Sequence, residues 1–255
     1  MNIIALVKYI PNPEGTPKMG PDNRLVREGV EGALDPGDEH VVEAALQLAD
    51  GAGGEVTVLS MGPELAVAAI RRALSMGAHK GVLITDSALP GADTLVTARV
   101  LAAAIKRGEF DLVIGGVEST DGYTGTLPMT VAEFLGVPTV TFARKIELKD
   151  GSVRIERQTE MGYDDVESPL PALITVTAGA NEPRYPTLKG IMQAKQKPME
   201  NLSLSDLGLS PEEATATQEV MGVEPVPAKE SGEIVEDPGE APAKVVDLLS
   251  KAKVI

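Results

Sequence analysis

The sequence predicts an α/β fold: a mainly parallel sheet with helices on both faces, followed by an extended C-terminal arm. Three observations carry this. Short apolar runs alternate with helical patterns from Ile3 to Leu135, the rhythm of strands joined by helical crossovers. Several of the runs are continuously apolar, as strands buried on both faces are. From Asn181 onward the chain reads as extended, and 212–240 is rich in Pro, Glu, Gly and Ala, a composition that cannot bury enough surface to fold alone.

Each element follows in order. Ile3–Val7 reads as the first, central strand. Pro11 to Arg27 is rich in Pro, Gly and charge, so it is a long loop with room for a small hairpin. Leu34-Asp-Pro-Gly-Asp38 reads as a helix start, because Asp35 and Asp38 are N-cap types and Pro36 suits a first turn. The helix continues through Val41–Leu48. Glu55–Ser60 is a strand, Glu64–Ser75 a helix closed by Gly77, and Gly81–Thr85 a strand. Asp93–Lys106 carries apolar residues at helical spacing. Asp111–Ile114 is a strand, and Met129–Leu135 a helix. The pattern then changes: Val140–Leu148 and Ser152–Arg157 flank Asp150-Gly151, a hairpin signal. Pro171–Val176 is a further strand. The expected organisation is an α/β domain over 1–180, a separate segment over 181–200, and an arm over 201–255 that ends in a short helix at Ala243–Leu249. The arm either wraps a partner subunit or folds back on its own domain.

Composition narrows the function. The 255 residues suffice for one large α/β domain. The core must be built without Trp and with few Tyr and Phe. A formal charge of −15 argues against nucleic acid or an anionic membrane as a general partner. With no Cys, disulfides, thiolate catalysis and Cys-ligated clusters are excluded; the absence also suits a reducing compartment, so a cytoplasmic protein is expected. His40 and His79, the two histidines, lack metal-type spacing. The N-terminus lacks a basic n-region and a long apolar run, so no targeting peptide is expected. No apolar run reaches the roughly 18 residues that span a bilayer.

Two stretches carry candidate chemistry. Gly115–Pro128 joins a buried strand to a helix and is rich in Gly, Ser and Thr. Such a loop offers backbone N–H groups and hydroxyls to a phosphate; alternatively it is a structural turn. Its glycines do not form G-x-G-x-x-G, and no Gly-Lys-[Ser/Thr] follows, so triphosphate hydrolysis is unsupported. Glu118 and Asp121 would repel a phosphate if aimed at it. Ligands of open parallel sheets bind beyond the carboxyl ends of the strands at a switch point. That makes Lys8, Met61 and the Gly116 loop neighbours, with Asp35–Asp38 facing the same crevice. Met61 is either core or a soft surface for a purine. The second stretch is Asn181–Lys197, where Leu188, Ile191 and Met192 stand among Lys189, Lys195 and Lys197. On an acidic chain this reads as a docking surface, or as a short helix capping the domain.

Asn181-Glu-Pro-Arg-Tyr-Pro-Thr-Leu-Lys-Gly-Ile-Met-Gln-Ala-Lys195 resembles the recognition-loop region of electron transfer flavoprotein beta subunits. Ala5-Leu-Val-Lys8, Leu34-Asp-Pro36, Ser60-Met-Gly-Pro63, Ile70–Ala78 and Leu170–Thr175 extend the resemblance over nearly the whole chain. It implies a Rossmann-like, adenine nucleotide hydrolase-like fold and a subunit without catalysis of its own. Its partners would be a flavoprotein alpha subunit holding FAD, donor acyl-CoA or related flavoprotein dehydrogenases, and a quinone oxidoreductase as acceptor. The compartment would be the cytoplasm, or the mitochondrial matrix in a eukaryote. The resemblance further implies AMP as a structural ligand, or a second FAD in its place as in electron-bifurcating members. Carried over, the nucleotide contacts are Leu6; Asp35, Pro36, Gly37 and Asp38; Met61; and Gly116, Val117, Glu118, Ser119, Thr120, Asp121, Gly122, Tyr123, Thr124, Gly125, Thr126 and Leu127. Docking falls to Tyr185, Leu188, Ile191 and Met192, with Leu188 as the anchor. Gln158 and Glu160 compete for an acidic hinge contact near Arg157. The loop departs from the family's usual Asn-Gln-Thr-Gly or Gln-Val-Gly-Pro endings, with Thr124, Gly125 and Thr126 still offering N–H and hydroxyl donors. The rival reading is an ATP pyrophosphatase-like enzyme using the Gly116 loop, which lacks the basic clamps that chemistry needs.

Overall fold

The computed structural model describes residues 1–224, 226–227, 232, 234 and 239–255. Its centre is a nine-stranded sheet. In chain order the strands are β1 (Asn2–Leu6), β4 (Glu55–Met61), β5 (Lys80–Ile84), β6 (Leu112–Gly116), β7 (Thr139–Lys149), β8 (Ser152–Thr159), β9 (Gly162–Pro169), β10 (Ala172–Val176) and β11 (Met199–Leu202). Across the sheet they run β11-β5-β4-β1-β6-β10-β7-β8-β9. All pairs up to β10–β7 are parallel; β7–β8 and β8–β9 are antiparallel. A separate pair, β2 (Tyr9–Pro11) and β3 (Gly32–Leu34), closes the base of the long loop at 12–31.

The helices divide between the faces, as the uninterrupted apolar strands require. α1 (Pro36–Ala52) and α2 (Val67–Met76) bury Val41, Val42, Ala45, Ile70 and Leu74 against Ile3, Ala5, Val56 and Val58. α3 (Thr94–Ile105) and α4 (Leu127–Leu135) bury Val96, Val100, Leu101 and Val131 against Leu6, Leu59, Ile84 and Val113. Alternate residues of β1 and β4 therefore belong to different cores, the period of two that a strand imposes. The chain leaves β1 toward β4 and β5, then crosses to β6 on the other side. The switch point thus falls between β1 and β6.

The elements expected between Ile3 and Val176 form close to their expected limits, with an added strand, β9. Its Tyr-Asp-Asp-Val-Glu-Ser sequence is too polar to read as a strand, because as the sheet's edge most of it faces water. The first compact unit spans Met1–Met221. β11 adds a parallel strand beside β5, and Leu202, Leu204 and Ala214 are buried in the core on the α3 side. A four-residue strand with two polar members leaves no readable period.

The second unit, Gly222–Ile255, contains α6 (Ala241–Lys251), slightly longer than expected. Val245, Val246 and Leu248 are exposed on it, and Lys251 pairs with Asp247 one turn back at 2.7 Å. Positions 225, 228–231, 233 and 235–238 of the expected arm lie outside the described residues.

Candidate functional site

The crevice at the β1–β6 switch point is organised by carboxylates. Asp35 is the N-cap of α1: its Oδ1 accepts the Gly37 N–H at 2.9 Å. Pro36, just inside the helix, fixes the entry. The other oxygen of Asp35 reaches across the crevice, accepting the Thr120 N–H at 2.7 Å and the Thr120 hydroxyl at 3.0 Å. One side chain therefore starts the helix and ties the Gly116 loop to it. Asp38, in the first turn, accepts the Lys8 N–H at 2.7 Å. Burial, with Asp35 nearby, pushes its carboxyl well above the usual range. A Cβ on Gly116 would stand 3.1 Å from Asp38 Oδ1, so the glycine is what lets strand β6 pass the helix start.

Asp121 is the loop's other fixed point. Its carboxylate is 4% exposed and takes Lys8 Nζ at 2.7 Å and Arg27 at 2.5 Å. Arg27 meets Oδ2 as an ion pair rather than as an aligned hydrogen bond. Lys8 Nζ also donates to Ser119 Oγ at 3.1 Å. Burial raises the Asp121 carboxyl, but Lys8, Arg27 and Ser119 outweigh it and hold it below the ordinary carboxylate range. The expectation that no basic cluster surrounds this loop is corrected: Lys8 arrives from the end of β1 and Arg27 from the long loop. Neither signal is local. Lys8 and Asp121 are 113 residues apart, and only the topology joins them.

The remaining predicted residues divide by face. The loop turns on itself through the Gly122 and Tyr123 N–H groups, both donated to Ser119 O. Gly125 has φ of 62°, which suits a residue without Cβ, and Glu118 folds over it: a Cβ there would lie 3.4 Å from the Glu118 carboxylate. Val117 is half-buried; Glu118, Tyr123 and Thr124 are exposed. Thr126 opens α4 without a side-chain cap, and Leu127 and Pro128 form its first turn. The Thr126 side chain therefore caps neither of the free N–H groups of that first turn, those of Leu127 and Met129, Pro128 having none. Leu6 and Met61 belong with the core on the α3–α4 face, away from Asp38, so their side chains pack rather than converge with the carboxylates. Ser60, which sequence reasoning passed over, is fully buried and its hydroxyl has no partner among the described residues. The pairing of Leu6 with Leu59 puts it opposite Val7, beside Lys8. Leaving a buried hydroxyl unpaired costs about 1–3 kcal/mol, which a ligand atom there would offset. The close passage at Gly116, the uncapped start of α4 and the Ser60 hydroxyl together fit an adenine nucleotide with its phosphate on the loop.

The docking stretch is built differently. The segment 181–187 is fastened to α1. His40 Nδ1 lies 3.1 Å from the Asn181 carbonyl oxygen, and Asn181 Nδ2 donates to the His40 carbonyl at 3.0 Å. Arg184 donates through Nε to Glu43 at 2.8 Å and reaches Asp50 at 3.1 Å. Those carboxylates raise the already high Arg184 pKa. Glu43 is buried, so its charge is compensated by this arginine. α5 (Leu188–Ala194) follows, capped by Thr187 Oγ1, which accepts the Gly190 N–H. Gly190 presses on α2; a Cβ would come within 2.5 Å of Ser75 O. On this fixed base Tyr185, Leu188, Ile191 and Met192 are 89%, 77%, 48% and 66% exposed. Four large hydrophobic side chains thus stand in water on one anchored segment, more than scattered single exposures would give. Gln158 and Glu160, exposed at the β8–β9 turn, are distant in sequence from both stretches.

The electron transfer flavoprotein domain model matches residues 22–207. The chain is 42% identical over 264 aligned positions to "Electron transfer flavoprotein subunit beta" of Mycobacterium bovis, covering 100% of this chain and 99% of the relative. It is 38% identical to the protein of that name in Bacillus subtilis, covering 91% of each. It is also 38% identical to "Caffeyl-CoA reductase-Etf complex subunit CarD" of Acetobacterium woodii, covering 92% of each. With a family model over most of the domain and relatives matched end to end, the chain belongs to the electron transfer flavoprotein beta subunit family.

Proposed function

We propose that the chain is the beta subunit of a heterodimeric electron transfer flavoprotein and holds AMP as a structural ligand in the β1–β6 crevice. The observation that carries the nucleotide reading is the Gly116 loop, tied to α1 by Asp35 and to Lys8 and Arg27 by Asp121, with the uncapped start of α4 behind it. Bound AMP supplies no chemistry; it fills the crevice and fixes the loop. The phosphate falls to Thr124–Leu127, and the nucleoside to Asp38, Ser60 and the backbone around Leu6 and Met61. The chain completes the FAD site of an alpha subunit and has no independent catalysis. Its Leu188 patch docks acyl-CoA or related flavoprotein dehydrogenases, from which electrons pass through the FAD to a quinone oxidoreductase.

A second FAD in place of AMP is the alternative. The relative in a caffeyl-CoA reductase–Etf complex supports keeping it. Co-expression with a flavoprotein alpha subunit, denaturation and chromatography of the released nucleotides tests both readings. AMP and FAD in equal amounts support the proposal; FAD alone at twice the amount supports the alternative. Release of no nucleotide from this subunit removes both.

A further inference from the structure

We propose that Asp121 sets the phosphate count of the crevice, restricting it to a nucleoside monophosphate by neutralising the two cations a second phosphate would need. The inference rests on the nucleotide reading above and deepens it.

The crevice brings two cationic side chains to the loop, Lys8 and Arg27. In most phosphate sites such cations face the ligand. Here both are spent on one buried carboxylate, at 2.7 and 2.5 Å. Several loop donors are also consumed internally. The Thr120 N–H and hydroxyl go to Asp35, and the Gly122 and Tyr123 N–H groups go to Ser119 O. The stretch to which the phosphate falls, Thr124–Leu127 with the uncapped start of α4, offers N–H and hydroxyl donors but carries no Lys or Arg of its own. A β-phosphate added to that ligand would enter a loop that also carries Glu118 and Asp121, while Lys8 and Arg27 are already neutralised by Asp121. Asp121 is thus a specificity residue that binds no ligand atom itself.

The competing role for the same contact is mechanical. Arg27 belongs to the long loop at 12–31, so its pairing with Asp121 also pins that loop to the crevice. The two roles separate by charge. The full chain is unfolded to strip nucleotide and refolded in equal concentrations of AMP and ADP. Bound nucleotide is then released and counted by ion-exchange chromatography for the wild type, Asp121→Asn, Arg27→Gln and the double variant. A unit charge about 6 Å away, at effective dielectrics of about 20 to 80, shifts an equilibrium by about threefold to about a hundredfold. Asp121→Asn is therefore expected to raise the ADP-to-AMP ratio about tenfold, Arg27→Gln to lower it, and the double variant, which restores the local charge, to return it close to wild type. Equal ratios in all four proteins overturn the proposal and leave Asp121 as a pin, with AMP binding intact. A wild type that takes up neither nucleotide overturns the nucleotide reading itself and this proposal with it. If Asp121→Asn fails to refold, Asp121→Ser and the Arg27→Gln single variant carry the same comparison, and an unchanged ratio in Arg27→Gln overturns the proposal by itself.

Discussion

The two ends of the site on α1 are built on opposite principles. At the helix N-terminus the crevice gathers carboxylates and cations in a half-buried space and satisfies them against one another. Farther along the same helix, His40, Glu43 and Asp50 hold a segment whose outer face is apolar and open to water. The crevice suits a ligand that stays, because each polar group already has its partner or a place for one. The apolar face, under the docking role proposed for it, suits a partner that comes and goes, because its area is presented on a fixed base and gains only upon contact. The difference shows one helix carrying a polar, internally satisfied end and an anchor for an apolar face, with its charges confined to the anchoring contacts.

That contrast can be broken at either end. The largest effect is expected at Asp35. Asp35→Ala removes the N-cap and both Thr120 hydrogen bonds, a loss of about 2–4 kcal/mol by ordinary cap and charged hydrogen-bond values. Denaturant unfolding should show it, together with loss of co-purifying nucleotide; full nucleotide retention would mean the loop needs no tie to α1. Arg184→Met comes next. It leaves Glu43 buried without its partner, at a cost of about 1–2 kcal/mol after allowing for the arginine's partial exposure. Nucleotide content should hold while reduction by a donor dehydrogenase slows. Leu188→Ala should be nearly silent in stability, within about 0.5 kcal/mol. It should slow donor electron transfer about tenfold, the value of one anchoring Leu side chain; an unchanged rate in stopped-flow reduction would take Leu188 out of docking.

The smallest effect distinguishes the two crevice carboxylates by pH. Asp38 has its folded pKa raised by burial and by Asp35. Between the unfolded value of about 3.9 and that raised value the native state binds the extra proton, so this group's contribution falls as pH rises. Asp121 has its folded pKa lowered, so its contribution is present above about pH 3.9 and is lost as pH falls through the lowered value. Asp38→Asn should therefore raise Tm at neutral pH and converge on wild type in acid. Asp121→Asn should lower Tm at neutral pH and converge in acid. Parallel pH–Tm curves for the two variants would contradict the assignment.

Much of this was legible in the sequence where the signal is local. Buried parallel strands announce themselves as apolar runs, Asp35-Pro36 reads as a helix start, and Asn181–Lys197 stands out as a basic, partly apolar stretch. β9 and β11 were not legible, because edge strands carry polar residues in place of a period. The switch point put Lys8 and Asp35 beside the Gly116 loop, but the specific ties of Asp121 to Lys8 and Arg27 and of Asp35 to Thr120 were not legible. They join residues 85 to 113 positions apart, and no window of sequence contains both ends. Ser60 was missed for another reason: a lone serine at a strand end has no pattern until its burial without a partner is seen.

The central claim is that the crevice holds a resident nucleotide while redox chemistry belongs to a separate FAD. The most direct measurement is the nucleotide stoichiometry of the heterodimer formed with a flavoprotein alpha subunit, taken after denaturation. One AMP and one FAD per heterodimer is the predicted result. Two FAD without AMP, or one FAD and no other nucleotide, would contradict it.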